Sequence, residues 1–142
     1  MTIATILAHR DGGVVTLPIT AHVRDAVALL DRHRIGALPV IDGARVAGMF
    51  SERDVIRLLQ ADGAAALDRR IADVMTTPVV TVASREPVIG ALTLMTRRRI
   101  RHLPIVDDGK LVGFVSIGDL VKHRIDRIEA DAAAMRDYIQ SA

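Results

Sequence analysis

Two short segments of the chain have the residue types and the spacing to bind an oxygen-rich ligand. Each is a serine followed three residues later by an aspartate, Ser51 with Asp54 and Ser116 with Asp119. This pattern is typical of a capping box, in which both side chains bind free backbone amides at a helix N-terminus. A helix N-terminus also attracts phosphate, and a carboxylate beside it can accept both hydroxyls of a ribose. Capping and ligand binding are compatible, and the sequence leaves both open.

A pair of adjacent basic residues distinguishes the second half of the chain from the first. Arg101 and His102 stand just before a Leu-Pro pair, where the corresponding residues of the first half are Gly36-Ala37. The forked guanidinium of arginine suits the geometry of phosphate, so we expect Arg101 and His102 to contact the phosphates of a ligand. The preceding Arg97-Arg98 pair is interpreted as a solvated helix end, where the helix dipole favours cations.

An internal repeat organises the chain. After a shift of 65 residues, residues 14–60 match residues 79–125 without a gap, and fifteen positions are identical. The identical positions include Gly48 and Gly113, which precede the two serines and are expected to give close backbone approach beside them. Two occurrences of so long a period indicate two copies of one supersecondary unit. Two halves that each expose an apolar sheet face will pair to bury it.

Each copy is predicted to fold as β-α-β-β-α. The first strand covers residues 14–17 or 79–82, because both segments are rich in β-branched residues. A helix with apolar residues at helical spacing follows, then two strands joined at Asp42-Gly43 or Asp108-Gly109. A second helix opens at Ser51 or Ser116. Residues 61–70 are small and polar and are expected to form a connector, with a short helix at residues 71–75.

Composition excludes several classes of protein. Half of the 142 residues are hydrophobic and 2% are aromatic, which favours packed layers over disorder. No uncharged stretch is long enough to span a bilayer and no charged-then-apolar leader opens the chain, so a cytoplasmic protein is expected. The absence of cysteine excludes disulfides and thiolate metal sites. A formal net charge of +2 argues against a nucleic-acid-binding surface.

The order of elements, the Leu-Pro-Val/Ile segments and the doubled Gly-x-x-Ser-x-x-Asp motif resemble the CBS domain, and two in tandem resemble a Bateman module. The similarity extends over essentially the whole chain and is strongest to free-standing bacterial CBS-pair proteins. It implies an α/β (α+β) fold with two β-α-β-β-α repeats about a pseudo-twofold axis, and no catalytic domain or catalytic residue. The expected organisation is repeat 1 at residues 1–65 (core 14–60), repeat 2 at residues 66–126 (core 79–125) and a C-terminal helical extension at residues 127–142.

The resemblance further implies two clefts, each combining the Ser-x-x-Asp of one repeat with a base-binding strand of the other. The first cleft is predicted to contain Val14, Val15, Gly36, Ala37, Phe114, Ser116, Gly118 and Asp119. The second is predicted to contain Met49, Ser51, Arg53, Asp54, Val79, Val80, Ile100 and His102, with Arg101 beside them. The backbone of Val15 or Val80 would recognise the adenine edge, and the aspartates would hold the ribose. Because Arg53 and Gly118 are equivalent positions that differ, one cleft is expected to bind better than the other.

The implied function is a regulatory sensor that binds AMP, ADP or ATP and signals to a protein partner in trans, with no obligatory cofactor and no metal. A sensor of NAD or NADH and a ligand-free interaction module remain alternatives. Nucleic-acid binding through the basic residues 97–102 is the least favoured, because aromatic residues for base stacking are scarce.

The C-terminal residues predict an assembly surface. Apolar positions separated alternately by four and three residues form a heptad seam: Val121, Ile125, Ile128, Ala132, Met135 and Ile139. The first half of the seam is expected to pack on its own domain. The remainder extends beyond the equivalent helix of the first copy and is expected to support a homodimer.

Overall fold

The computed structural model describes residues 1–141, and its elements fall into two similar halves. The α-helices are α1 (Ile3–Ala8), α2 (Val23–His33), α3 (Glu52–Asp62), α4 (Ile71–Val74), α5 (Val88–Arg98) and α6 (Ile117–Ser141). The strands are β1 (Leu17–Pro18), β2 (Ala37–Asp42), β3 (Arg45–Ser51), β4 (His102–Asp107) and β5 (Lys110–Ser116). A 3-10 helix, Gly63–Asp68, lies between α3 and α4.

Each half has its own small sheet. In the first half β1 pairs in parallel with β2, and β2 pairs antiparallel with β3. In the second half β4 pairs antiparallel with β5, and a single parallel bridge between Val82 and Ile105 takes the place of β1. The corresponding pair in the first half is Leu17 with Val40, so both partners are displaced by the 65 residues of the sequence repeat. The two repeats predicted from the sequence are therefore both present in the structure.

The first strand of each repeat is shorter than predicted. Residues 14–16 and 79–81 lie outside the ladders, although their β-branched side chains favour strand. The parallel register would pair Thr16 with Pro39, and Thr81 with Pro104. Proline has no N–H to donate, so a ladder weakens where it meets one. The backbone just before Leu17 and Val82 is therefore released from the sheet.

Two hydrophobic cores lie behind the sheets, one in each half. Leu38, Val40 and Phe50 are fully buried in the first core, and the equivalent Leu103, Ile105 and Val115 are fully buried in the second. Burying a side chain of this size contributes about 1.5–3 kcal/mol. The Leu-Pro-Val/Ile segments are thus the central strands of their cores, which explains their almost continuous apolar character.

The helices that precede the repeats are exchanged between the halves. Helix α1 comes first in the chain, yet Ile3 and Ile6 are buried in the core of the second half, while Ile71 of α4 is buried in the core of the first. The amide of Ile3 donates to the carbonyl of Glu86, and the amide of Ile71 donates to that of Ala21, each at 2.9 Å. Residues 1–8, which the sequence assigned to repeat 1, therefore pack on repeat 2.

One glycine explains why the two copies end differently. Gly63 follows α3 with φ +63°, a conformation that suits glycine and stops the helix. The equivalent position is Ile128, and α6 continues through it for 25 residues in all, roughly 37 Å. Within the predicted connector, residues 63–68 form a 3-10 helix with Ala66 buried. No helix within residues 1–141 is long and apolar enough to cross a bilayer.

The exposed stripe of α6 corrects one expectation. Leu120 is the buried residue of this helix, whereas Val121 and Ile125 of the predicted seam are about half exposed. The first half of the seam therefore does not pack on its own domain. Ile128, Met135 and Ile139 are exposed as well. Ala142, the last residue of the predicted extension, lies outside the described residues.

Candidate functional site

The two Ser-x-x-Asp segments form the capping boxes that the sequence pattern indicates. The Oδ2 atom of Asp54 accepts a hydrogen bond from the Ser51 amide at 2.9 Å, and the Asp54 amide donates to Ser51 Oγ at 3.3 Å. The corresponding distances between Ser116 and Asp119 are 2.7 and 3.1 Å. Each aspartate is thereby held rigidly at the start of its helix.

A second pair of hydrogen bonds holds the residues before each Leu-Pro pair next to these helix N-termini. The amide of Glu52 donates to the carbonyl of Gly36 at 2.9 Å, and the amide of Ile117 donates to that of Arg101 at 2.8 Å. This hydrogen bond holds the backbone at position 101, so the side chain of Arg101 is not needed to keep that backbone in place. The side chain is exposed.

The second cleft brings together the full set of residues predicted for it. Its cavity, of about 360 Å³, lies between α3 of the first repeat and the segments on either side of α5 in the second. The predicted residues that line it are Met49, Ser51, Arg53, Asp54, Val79, Val80, Ile100, Arg101 and His102. Arg57 and Arg99 also line it. One carboxylate therefore faces four arginines.

The first cleft is divided into two adjoining cavities of about 240 and 470 Å³ that share Arg10, Ile35 and Phe114. Val14 and Val15 line the smaller cavity. Gly36, Ala37, Ser116 and Asp119 line the larger one. Gly118 lines neither, in contrast to the prediction, whereas its counterpart Arg53 has a side chain long enough to reach its own cleft.

The backbone expected to recognise a base is free in both clefts. Within residues 1–141, no backbone hydrogen bond uses the amide or carbonyl of Val15 or Val80. The cause is the late start of the first strand, whose pairing begins two residues after each of these valines. An unpaired peptide group at the wall of an apolar cleft offers one donor and one acceptor to a ligand.

His102 lies between the two clefts and lines both. Its ring stacks on Phe114, with the ring centroids 5.6 Å apart and an interplanar angle of 8°. Burial lowers the pKa of His102, and the nearby Asp119 and Glu52 only partly oppose this effect. The imidazole is therefore neutral at pH 7. It forms an aromatic surface with Phe114, and the positive charge of this basic pair comes from Arg101.

The two aspartates have different partners. Asp54 is 8% exposed, and its Oδ1 accepts from Arg57, three residues along the same helix, at 3.0 Å. Asp119 forms an ion pair with Arg10, which is far away in sequence. Burial raises the pKa of Asp119, but hydrogen bonds from Ser116 and the contact with Arg10 outweigh it and keep the pKa below its ordinary value. Asp119 is thus ionised at neutral pH.

Gly48 and Gly113 have a role other than close approach to a ligand. A Cβ added at Gly48 would lie 2.5 Å from Sδ of Met75, and one added at Gly113 would lie 2.6 Å from a methyl carbon of Leu7. At separations this short, the side chain of Met75 or Leu7 would have to move. The glycines make room for the exchanged helices α1 and α4, which the sequence did not indicate.

Sequence reasoning missed four arginines of the clefts: Arg10, Arg34, Arg57 and Arg99. Arg34 and Arg99 are equivalent in the repeat, end α2 and α5, and have φ values of +52° and +56°. Their conservation between the two copies at a helix end, where glycine is usual, is a signal the sequence did contain. Arg10 has no counterpart in the repeat, so only the structure reveals it.

Comparison with known proteins agrees with this architecture. The family model for the CBS domain matches residues 10–61 and 71–126. The chain is 32% identical over 120 residues to the CBS domain-containing protein YhcV of Bacillus subtilis (strain 168), covering 84% of this chain and 85% of that protein. It is 34% identical over 123 residues to the mitochondrial CBS domain-containing protein CBSX3 of Arabidopsis thaliana, which covers 83% of this chain but spans only 60% of that relative.

Solved structures share the fold. The CBS-domain containing protein ATU1752 from Agrobacterium tumefaciens has a TM-score of 0.81 and 34% identity, over 87% of this chain and 99% of that one. The CBS domain pair of protein MJ0100, solved in complex with 5′-methylthioadenosine and S-adenosyl-L-methionine, has a TM-score of 0.78 at 24% identity, over 89% and 98% of the two chains. The two matched segments and these relatives show that the chain belongs to the CBS-domain family.

Proposed function

We propose that the protein is a regulatory sensor that binds an adenine nucleotide, AMP, ADP or ATP, in the clefts between its repeats. The bound nucleotide would change how the protein engages a partner in trans. The site has the groups to bind a ligand, and binding rather than catalysis is the proposed activity.

One observation carries the proposal: each cleft sets an aspartate at a helix N-terminus opposite an unpaired valine backbone from the other repeat. A ribose has two neighbouring hydroxyls that a carboxylate can accept together. The adenine edge has a donor and acceptors that suit a single peptide group. Apolar residues between these two points, such as Met49 and Ile100, can enclose the base.

Charge favours nucleotides over other adenosine compounds. The second cleft is lined by Arg53, Arg57, Arg99 and Arg101 against the single carboxylate of Asp54. Arginine binds phosphate through paired N–H groups, whereas a cationic sulfonium would be repelled. The MJ0100 domain pair, which was solved with two adenosine derivatives, supports the adenosine part of the proposal, and the arginines of this chain support the phosphate part.

A ligand panel tests the proposed function. AMP, ADP and ATP are expected to raise the melting temperature, because a ligand at 100 times its Kd stabilises the native state by about 2.7 kcal/mol. For a chain of this size the shift would be on the order of 5–10 °C. Adenosine and S-adenosylmethionine are expected to shift it less, since they lack phosphates. The measurement is differential scanning fluorimetry followed by calorimetry.

The panel also distinguishes the alternatives. A larger shift with NAD or NADH than with any mononucleotide would contradict the proposed ligand class in favour of a dinucleotide sensor. A shift with a short DNA duplex alone would favour nucleic-acid binding through residues 97–102. No shift with any compound would favour an interaction module without a ligand.

We further propose that the protein forms a homodimer through its helices. The exposed large apolar side chains concentrate on helices: Ile56 and Leu59 on α3, Ile89 on α5, and Val121, Ile125, Ile128, Met135, Tyr138 and Ile139 on α6. Exposed apolar surface on this scale is typical of an interaction site. The seam of α6 has the heptad spacing with which helices pair.

Removal of residues 128–142 is expected to convert the dimer to a monomer, because it deletes the outer part of the seam. Light scattering coupled to size exclusion measures the mass. A seam variant, Ile128→Gln with Met135→Gln, is expected to weaken the dimer without shortening the chain. The matched control, Ala130→Gln with Ala134→Gln, changes exposed positions off the seam and is expected to leave the mass unchanged. An unaltered dimer in both the truncation and the seam variant would contradict a role for α6.

A further inference from the structure

The connection into the first cleft is three residues longer than its counterpart in the second. Within the exchanged helices, equivalent residues of the two halves are 68 positions apart. Ile3 and Ile71 make equivalent hydrogen bonds, and Leu7 and Met75 pack against equivalent glycines. From the valines onward the difference is 65, as for Leu17 and Val82. Six residues therefore join Leu7 to Val14, whereas three join Met75 to Val79.

The longer connection reaches into the first cleft. Arg10 lines both of its cavities, and Asp11, Gly12 and Gly13 line the smaller one. The guanidinium of Arg10 donates through Nη1 to the carbonyl of Phe114 and forms an ion pair through Nη2 with Oδ2 of Asp119. Both side chains of the ion pair are more than one third exposed, so a ligand can reach them.

In the second cleft, the equivalent carbonyl is paired by backbone hydrogen bonds alone. The carbonyl of Met49, equivalent to Phe114, accepts from the amide of Thr76 at 2.8 Å, and the amide of Met49 donates back at 3.0 Å. This pairing leaves no cation from the connection beside Asp54. Its arginine partner, Arg57, comes from the same helix.

We infer that Arg10 is a specificity-determining residue of the first cleft, where it holds Asp119 until a ligand carrying phosphate replaces that contact. A ribose that takes both oxygens of Asp119 must displace the guanidinium from Oδ2. The displaced Arg10 stays in the cleft and gains a new anionic partner only when the ligand has phosphates. The first cleft therefore selects nucleotides over neutral nucleosides. The inference rests on the proposed adenine-nucleotide function and extends it to the choice of ligand in one cleft.

The experiment compares adenosine with AMP in the first cleft alone. In an Asp54→Asn background, which weakens the second cleft, Arg10→Gln removes the cation and leaves a side chain of similar length. Adenosine is expected to bind up to about fivefold more tightly, the range of a partly exposed ion pair that no longer has to be broken. The preference for AMP over adenosine is expected to fall by about tenfold, because a charge-assisted contact is lost. Calorimetry gives both affinities.

Two further variants provide a control and an independent test. Arg24→Gln breaks an exposed ion pair with Asp68 at 3.1 Å away from both clefts, and is expected to change neither affinity. Deletion of residues 11–13 gives the first connection the length of the second and is expected to shift the preference in the same direction as Arg10→Gln. In the free protein, the carboxyl pKa of Asp119, followed by NMR, is expected to rise in Arg10→Gln, because Arg10 helps to lower it.

The outcomes separate this inference from the proposed function. If Asp119→Asn abolishes binding to the first cleft while Arg10→Gln leaves the AMP-to-adenosine preference unchanged, the role of Arg10 is wrong and the proposed function stands. If neither ligand binds the parent protein or any variant, both are wrong. Adenosine binding that is gained only in the Arg10→Gln and deletion variants supports the inference directly.

Discussion

Replacement of Asp54 by asparagine is expected to weaken AMP binding to the second cleft by on the order of tenfold to a hundredfold. The substitution removes the charge that favours two ribose hydroxyls, and hydrogen bonds to a charged group contribute about 1.5–3 kcal/mol. Asp119→Asn is expected to do the same in the first cleft. Calorimetry on each single variant and on the double variant assigns the affinities to the clefts, and the double variant is expected to bind least.

The control separates ligand binding from helix capping. Asp25 occupies the same position in α2 as Asp54 does in α3, and its carboxylate accepts the amide of His22 at 2.9 Å. It lines neither cleft, so Asp25→Asn measures the loss of a capping carboxylate alone, about 1 kcal/mol or less of stability. If Asp54→Asn lowers the melting temperature as Asp25→Asn does and leaves the AMP affinity intact, the aspartate only caps its helix.

Arg101→Ala is expected to weaken AMP binding by about tenfold or more and adenosine binding far less. The guanidinium lies at the second cleft, and the loss of a charge-assisted contact with phosphate has this magnitude. Adenosine has no phosphate to lose. In this variant the carbonyl at position 101 still accepts the hydrogen bond from the amide of Ile117, at 2.8 Å in the parent, so the local backbone conformation should persist. Calorimetry with both ligands, at low and high salt, measures the effect.

Three comparisons decide how Arg101 acts. Lysine at position 101 should recover only part of the AMP affinity, because it supplies a charge without the planar fork. Salt should weaken AMP binding more in the parent than in Arg101→Ala, since screening acts on the charge pair. Arg97→Ala, which changes an exposed arginine outside both clefts, is the control. Equal losses for adenosine and AMP would show that Arg101 shapes the pocket instead of contacting phosphate.

Local sequence determined the features whose causes are local. The capping boxes at Ser51 and Ser116 follow from residue types three positions apart, and their backbone geometry needs nothing from the rest of the chain. The difference in length between α3 and α6 follows from Gly63 against Ile128, because a glycine with positive φ ends a helix without strain. The Asp108-Gly109 turn, with φ values of +50° and +76°, likewise depends on two residues alone. The gapless repeat doubled the capping-box signal and predicted two similar halves.

Pairing between distant segments was decided only by the tertiary structure. Helix α1 is apolar enough to pack on either core, and its placement on the second half follows from hydrogen bonds to residues more than eighty positions away. The short first strands depend on which residue faces Pro39 and Pro104, which is a matter of register and not of propensity. The contact between Arg10 and Asp119 exists because exchange of α1 leads the connection back across the first cleft. A repeat comparison could not reveal it, since Arg10 lies in the segment where the two copies differ in length, and the asymmetry of the two clefts therefore comes from chain topology.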